Sequence, residues 1–201
     1  DWADRDLSSL RFVKSGGGPC RESVIDAWRD RDVEISQGYG LTECGPNNFA
    51  MPDGFPAEKT DSVGVPALAV DARVVDDDGP VPDGTVGELE LAGPAAADRY
   101  WNDEAETRET FGEWVSTGDL ARVDDDGYYH IEGRKKNMFV SGGENVYPPR
   151  VEDALTDHPR IEEAVVIGVP SVEWGTVGKA VLVGDESLTL EDVQSHLASR
   201  V

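Results

Sequence analysis

Apolar and polar positions change their rhythm twice along this chain, and the changes mark its organisation. Leu10 to Val13 predicts a short strand, followed by Ser15-Gly16-Gly17-Gly18-Pro19. A helix is then predicted from about Arg21 to Arg31, with Pro19 near its first turn and Val24, Ile25 and Trp28 facing inward. Val33 to Ser36 predicts a second strand of β-favouring residues, from which the glycines of Gln37-Gly38-Tyr39-Gly40-Leu41-Thr42-Glu43 turn the backbone sharply. After a loop around Asn47 to Lys59, the pattern shifts to short strands at Ala69–Val75, Gly87–Leu91, Trp114-Val115 and Tyr128–Ile131. Asp78-Gly79, Asp83-Gly84 and Asp126-Gly127 separate them, as expected of an antiparallel sheet or small barrel over about 60–132.

From Gly133 the rhythm changes again. Met138–Val140 predicts a strand, Pro148-Pro149 opens a helix carrying Val151 and Leu155, and Ala164–Val169 and Lys179–Val183 are apolar strands. Thr189 is the expected cap of a last helix, with Asp192 as its third-position acid and Leu188 and Val193 as a staple. Leu190, Val193, Leu197 and Val201 recur at helical spacing. The fold class is therefore mixed α/β and α+β: a larger part with a barrel-like β-rich subdomain, then a small α+β domain that reads as cut short.

Composition narrows the setting. The 201 residues suffice for one large or two small cores, and 41 Asp and Glu against 18 Lys and Arg give a formal charge of −23. Self-repulsion on that scale is screened by molar salt, so a salt-rich cytoplasm is the expected home. No basic cluster exceeds Arg134-Lys135-Lys136, which argues against a nucleic-acid groove. Cys20 and Cys44 make no disulfide framework, consistent with a reducing compartment. No apolar run reaches membrane-spanning length, and the start at Asp1, without Met or a signal-peptide pattern, suggests a piece of something longer.

Candidate chemistry centres on Gln37 to Glu43. Tyr39 offers an aromatic face for a purine, Thr42 a hydroxyl, and Glu43 the hard oxygen that Mg²⁺ prefers when it also holds phosphates. The same heptad also reads as a glycine-rich turn with one core tyrosine. The Gly16–Gly18 run before a helix can hold an anion or simply allow close packing, and it lacks the Gly-Lys-Ser/Thr end of a P-loop. Asp76–Asp78 and Asp124–Asp126 invite a calcium reading, but each ends in a hairpin Asp-Gly without spaced ligands. Ser116-Thr117-Gly118-Asp119 predicts a strand end with a carboxylate exposed at a turn, suited to both hydroxyls of a ribose. Gly133-Arg134 puts a permanently charged donor at the end of a hairpin.

In this order the motifs resemble the acyl-adenylate-forming enzymes, which include acyl-CoA synthetases, adenylation domains of peptide synthetases and luciferases. The likeness continues through Gly87-Glu88-Leu89 to Tyr100-Trp101, Ser141-Gly142-Gly143-Glu144-Asn145 with Tyr147-Pro148, and His158-Pro159 to Pro170. The Ser141 to Pro148 run is most similar to the acyl-CoA synthetase branch. The resemblance implies that Gly16, Gly17 and Gly18 line the acyl and adenine pocket, and that Gly38, Tyr39 and Gly40 bind adenine. It implies that Thr42 contacts phosphate, Glu43 ligates Mg²⁺, and Asp119 and Arg134 bind ribose. Lys136 matches the hinge, dividing a large domain over 1–135 from a small mobile one over 137–201, and Ser141, Gly142 and Gly143 would join the CoA tunnel. ATP, CoA and a small carboxylic acid are the implied partners.

The family's phosphate-gripping loop and its adenylation lysine match no stretch here. Lys179 precedes a strand where the family has an ordinary residue, so no catalytic lysine is assigned between Asp1 and Val201. Arg99 and Asn137 also depart from the family pattern. The expected activity is thioester formation by a larger enzyme of which this is the C-terminal portion. An adenylation domain loading a carrier protein, and a non-catalytic nucleotide-binding remnant, are the alternatives.

Overall fold

The computed structural model describes residues 2, 4–198 and 200. Two compact units divide the chain, Asp1–Ile131 and Glu132–Val201. The boundary between the units falls a few residues before the expected hinge at Lys136.

In the first unit, β1 (Val13–Gly16) leads through the glycine run to α1 (Glu22–Arg29) and back to β2 (Ile35–Leu41), which lies parallel to β1 from Val13↔Ile35 to Gly16↔Gly38. The first strand begins later than Leu10 because the chain meets its partner only at Val13; Phe12 remains 71% exposed. Helix α1 is short and buries a narrow stripe centred on Ile25, with Trp28 half-buried. Val24, expected inward, lies on the flank at 42% exposure.

The glycine-rich heptad is a strand, not a sharp turn. It runs as β2 to Leu41, and the reversal comes at Thr42–Cys44 before β3 (Gly45–Ala50), part of what was expected to be loop. Strand β4 (Val65–Pro66) completes a four-stranded sheet ordered β1-β2-β3-β4. A Cβ at Gly40 would lie 2.8 Å from Asn47 N and Gly45 O, so this glycine makes room for the backbone of β3.

The second sheet of this unit contains β5 (Asp71–Asp76), β6 (Gly79–Pro80) and β7 (Gly87–Ala92). After α2 (Glu104–Thr110) come β8 (Val115–Val123) and β9 (Tyr129–Arg134). Their order is β6-β5-β7-β8-β9. Of the two expected arrangements this is the antiparallel sheet, open and not closed into a barrel: one edge is a two-residue strand ending in Pro80, which has no N–H to extend the ladder. Phe49, Val63, Leu89, Leu91, Val115, Ala121 and Tyr129 form the core. The alternation of Gly87–Ala92, with Leu89 and Leu91 buried, is that of a strand with one face inward.

In the second unit, β10 (Phe139–Ser141) and β11 (Glu144–Val146) form a hairpin. Its turn is Gly142-Gly143, both at positive φ as a tight two-residue connection requires. Helix α3 (Pro148–Thr156) precedes the antiparallel pair β12 (Ile161–Ser171) and β13 (Gly175–Gly184). Helix α4 (Leu190–Leu197) follows, with the expected capping box between Thr189 and Asp192. Leu155, Ile161 and Val166 are its core, and Val151, Leu182, Leu188, Val193 and Leu197 pack against them. Leu190 is exposed, and Val201, the last position of the expected repeat, lies outside the described residues.

Candidate functional site

Strand β8 contains the feature that shapes the candidate site. Opposite β7, Glu88 pairs with Leu120 and Glu90 with Ser116, so Thr117, Gly118 and Asp119 together face Leu89. This is a bulge, which bends a strand and re-aims its side chains. Gly118 takes φ +69°, Thr117 Oγ1 donates to Leu89 O at 2.7 Å, and Asp119 N donates back to Thr117 Oγ1 at 3.1 Å. Asp119 was expected exposed at a strand end; it is only 6% exposed, in mid-strand, aimed inward by the bulge.

Inside, the Tyr39 hydroxyl donates to Asp119 Oδ2 at 2.5 Å, joining residues 80 apart in sequence. The Tyr39 ring is half-buried and stands edge-on to Phe49, with centroids 5.7 Å apart. It belongs partly to the core, as the plainer reading of the heptad has it, and its polar tip marks the candidate site. Gly16 and Gly38 are neighbours across β1 and β2, whereas Gly17 and Gly18 have open space where a side chain would be. Thr42 is exposed in the hairpin turn.

Glu43 is half-buried and held from two directions. Ala97 N donates to its carbonyl at 2.7 Å, and the Tyr100 hydroxyl donates to its Oε1 at 2.5 Å. Tyr100 is braced by α2: its N–H donates to Thr107 Oγ1 at 3.0 Å, and its ring meets Phe111 edge-on at 5.0 Å. Burial, and next the hydrogen bond to the Glu43 carboxylate, hold the Tyr100 phenol above its usual pKa, so it remains a donor. Among the described residues no group of three or more His, Cys, Asp or Glu side chains gathers as a metal cage. A single braced carboxylate fits Mg²⁺, which takes one or two protein oxygens together with substrate phosphates and water.

Arg134, Lys136 and Ser141–Gly143 belong to the second unit. Arg134 ends β9, Lys136 is exposed in a 3-10 turn spanning Lys135–Asn137, and Gly142 lies against the Trp174 ring. Asp124, in one of the Asp triplets, accepts from Lys59 Nζ at 2.7 Å and contacts His130 Nε2 at 3.1 Å, so its carboxylate is engaged by the protein itself.

Sequence reasoning missed α2, and with it the brace on Glu43. Asn102-Asp103-Glu104 carried the signal: Asp103 caps the helix, accepting from Glu106 N. It also missed Gln37 and His130 as buried anchors, which nothing in their local spacing announces.

With this geometry in place, the comparisons identify the family. Residues 1–101 match the AMP-binding enzyme model and residues 150–201 the AMP-binding enzyme C-terminal domain. The chain belongs to the AMP-binding enzymes. A feruloyl-CoA synthase of Amycolatopsis is 43% identical over 184 residues, covering 90% of this chain and 38% of that protein. The o-succinylbenzoate CoA synthetase of Bacillus subtilis, solved with its acyl-adenylate intermediate, superposes with a TM-score of 0.92 at 30% identity, over 98% of this chain and 41% of the other. The same synthetase with ATP and magnesium gives 0.90 at 29% identity, again over 98% and 41%. The chain thus spans about two fifths of the length of these relatives.

Proposed function

We propose that this chain is part of an ATP-dependent acyl-CoA synthetase, supplying the adenosine site and the smaller, mobile domain. The observation that carries the reading is the Tyr39–Asp119 contact, which joins the base platform to the ribose carboxylate inside one unit. Asp119 accepts from the ribose hydroxyls, Tyr39 packs against adenine, and Gly17 and Gly18 leave open space for the ligand, while Gly16, Gly38 and Gly40 let the strands beside it pack closely. Thr42 donates to phosphate, and Glu43, steadied by Tyr100, offers one oxygen to Mg²⁺. The ion, when bound, neutralises charge on the phosphate oxygens.

In the second unit Lys136 is the pivot, and Ser141–Gly143 presents a glycine turn to the CoA arm. The substrate is a carboxylic acid, activated as its acyl-adenylate before transfer to the CoA thiol. The feruloyl-CoA synthase and the o-succinylbenzoate CoA synthetase are named for aromatic acids, which makes such an acid the first to try.

The test is calorimetric titration of the chain with AMP, with CMP as comparison. Saturable binding of AMP, at least tenfold tighter than CMP, is expected; no binding of either nucleotide contradicts the proposal.

A further inference from the structure

The glycine run that lines the candidate site is tied down by a residue to which no role has been given. Gln37 lies on β2, two residues before Tyr39, and is 8% exposed. Its Oε1 accepts from Cys20 N at 3.0 Å, at the far end of Gly16-Gly17-Gly18-Pro19. Its Nε2 donates to Thr60 O at 3.0 Å. Thr60 is itself anchored, because its Oγ1 accepts from Arg29 Nη2 of α1 at 2.7 Å. One buried amide therefore joins the end of the glycine run, the strand that carries Tyr39, and the turn at Ala57–Thr60.

A buried primary amide that satisfies a backbone donor and a backbone acceptor fixes both in position, and losing it leaves each unpaired. Gly17 and Gly18 have open space around them, so the run has no side-chain packing of its own to hold it. We propose that Gln37 is the positioning residue of the nucleotide site: it sets the distance between the glycine wall and the Tyr39 platform, without touching the ligand. The inference rests on the nucleotide reading of this site.

Gln37→Met keeps the length and volume of the side chain but removes both bonds; Gln37→Asn keeps the amide but shortens its reach, and serves if the first variant does not fold. Val74→Ala, in the core of the second sheet, is the control for a general loss of stability. AMP affinity is measured by calorimetry, and hydrogen exchange of the Cys20 amide by NMR. Either Gln37 variant should bind AMP about tenfold more weakly and exchange the Cys20 amide at least tenfold faster. Val74→Ala should lower the melting temperature and leave both readouts unchanged. Unchanged AMP affinity in a folded Gln37 variant, or an equal loss in Val74→Ala, overturns the positioning role while leaving the nucleotide site standing. Absence of AMP binding in the parent chain overturns both.

Discussion

The phenol of Tyr100 donates to Glu43 Oε1 at 2.5 Å across 57 residues of sequence, and it is the end of a brace that starts in α2. A carboxylate that must meet a metal gains when a second group fixes its orientation. Removing that group should be felt only when the metal is present.

Tyr100→Phe keeps the ring against Phe111 and deletes only the donor. A hydrogen bond to a charged acceptor contributes about 1.5–3 kcal/mol, of which only the part that orients the carboxylate reaches the metal, so Mg²⁺-ATP should bind roughly tenfold more weakly. AMP binding without metal should be unchanged. Parallel calorimetric titrations check both, and an equal loss for the two ligands would place Tyr100 in general packing instead.

His130 is buried between Asp61 and Asp124, with Nδ1 and Nε2 each 3.1 Å from a carboxylate oxygen. Burial opposes its charge, but the hydrogen bonds to Asp61 and Asp124 outweigh that and raise its pKa above 6.5. The folded pKa is the higher one, so this stabilisation is full below the unfolded value and is lost as pH rises through the folded value. For Asp61, the hydrogen bond to His130 lowers its pKa; for Asp124, the bonds to Lys59 and His130 overcome burial and do the same. Their contribution is present above 3.8 and is lost as pH falls through the lowered values. Melting temperatures should therefore decline from pH 6 towards pH 9, and His130→Gln should flatten that decline. Parallel curves for the two proteins would exclude His130 as the cause.

Gly40 and Gly17 separate close packing from backbone strain. Gly40→Ala drives a Cβ to 2.8 Å from backbone atoms of β3, an overpacking that typically costs 1–3 kcal/mol or about that order. Gly17→Ala meets no neighbour and carries only the cost of φ +84°, about 1–2 kcal/mol. Chemical denaturation should rank Gly40→Ala as the more destabilised; the reverse order would show that the β2–β3 contact yields easily.

Local chemistry made much of the architecture readable. The capping box at Thr189 and Asp192, the Pro148-Pro149 helix start and the Asp-Gly hairpins all satisfy their backbone within a few residues, so their signals are local. Strand β3 was hidden because Gly45-Pro46-Asn47-Asn48 reads as loop, and its pairing with β2 depends on the glycines of the partner strand. The site was legible as motifs but not as geometry. Asp119 is buried because two extra residues in β8 form a bulge against β7, and no composition rule marks such a register shift. Gln37, Tyr100 and His130 each depend on at least one distant partner, Cys20, Glu43 and Asp61, at 17, 57 and 69 residues, which only the fold brings together.

The surplus of carboxylates has its own consequence. With a formal charge of −23, the chain repels itself at low ionic strength, and molar salt screens that repulsion. The melting temperature should rise between 0.1 and about 2 M KCl, with the Debye length falling well below 10 Å over that range. A flat or falling curve would show that self-repulsion among the carboxylates does not limit the fold.

In the proposed nucleotide site Asp119 receives a ribose beside Tyr39. Because Asp119 is buried and accepts from Tyr39, its replacement by Ala would disturb packing as well as the site. Asp119→Asn keeps the volume and one oxygen acceptor for Tyr39, and replaces the charge and the other carboxylate oxygen with an amide N–H donor. Hydrogen bonds to a charged acceptor contribute about 1.5–3 kcal/mol against about 1 for a neutral one. Asp125→Asn removes the same charge from an exposed hairpin position. Calorimetric titration of AMP into the parent and both variants should show roughly tenfold weaker binding in Asp119→Asn and parental affinity in Asp125→Asn. Equal affinity in Asp119→Asn and the parent would contradict the assignment of this carboxylate to the ribose.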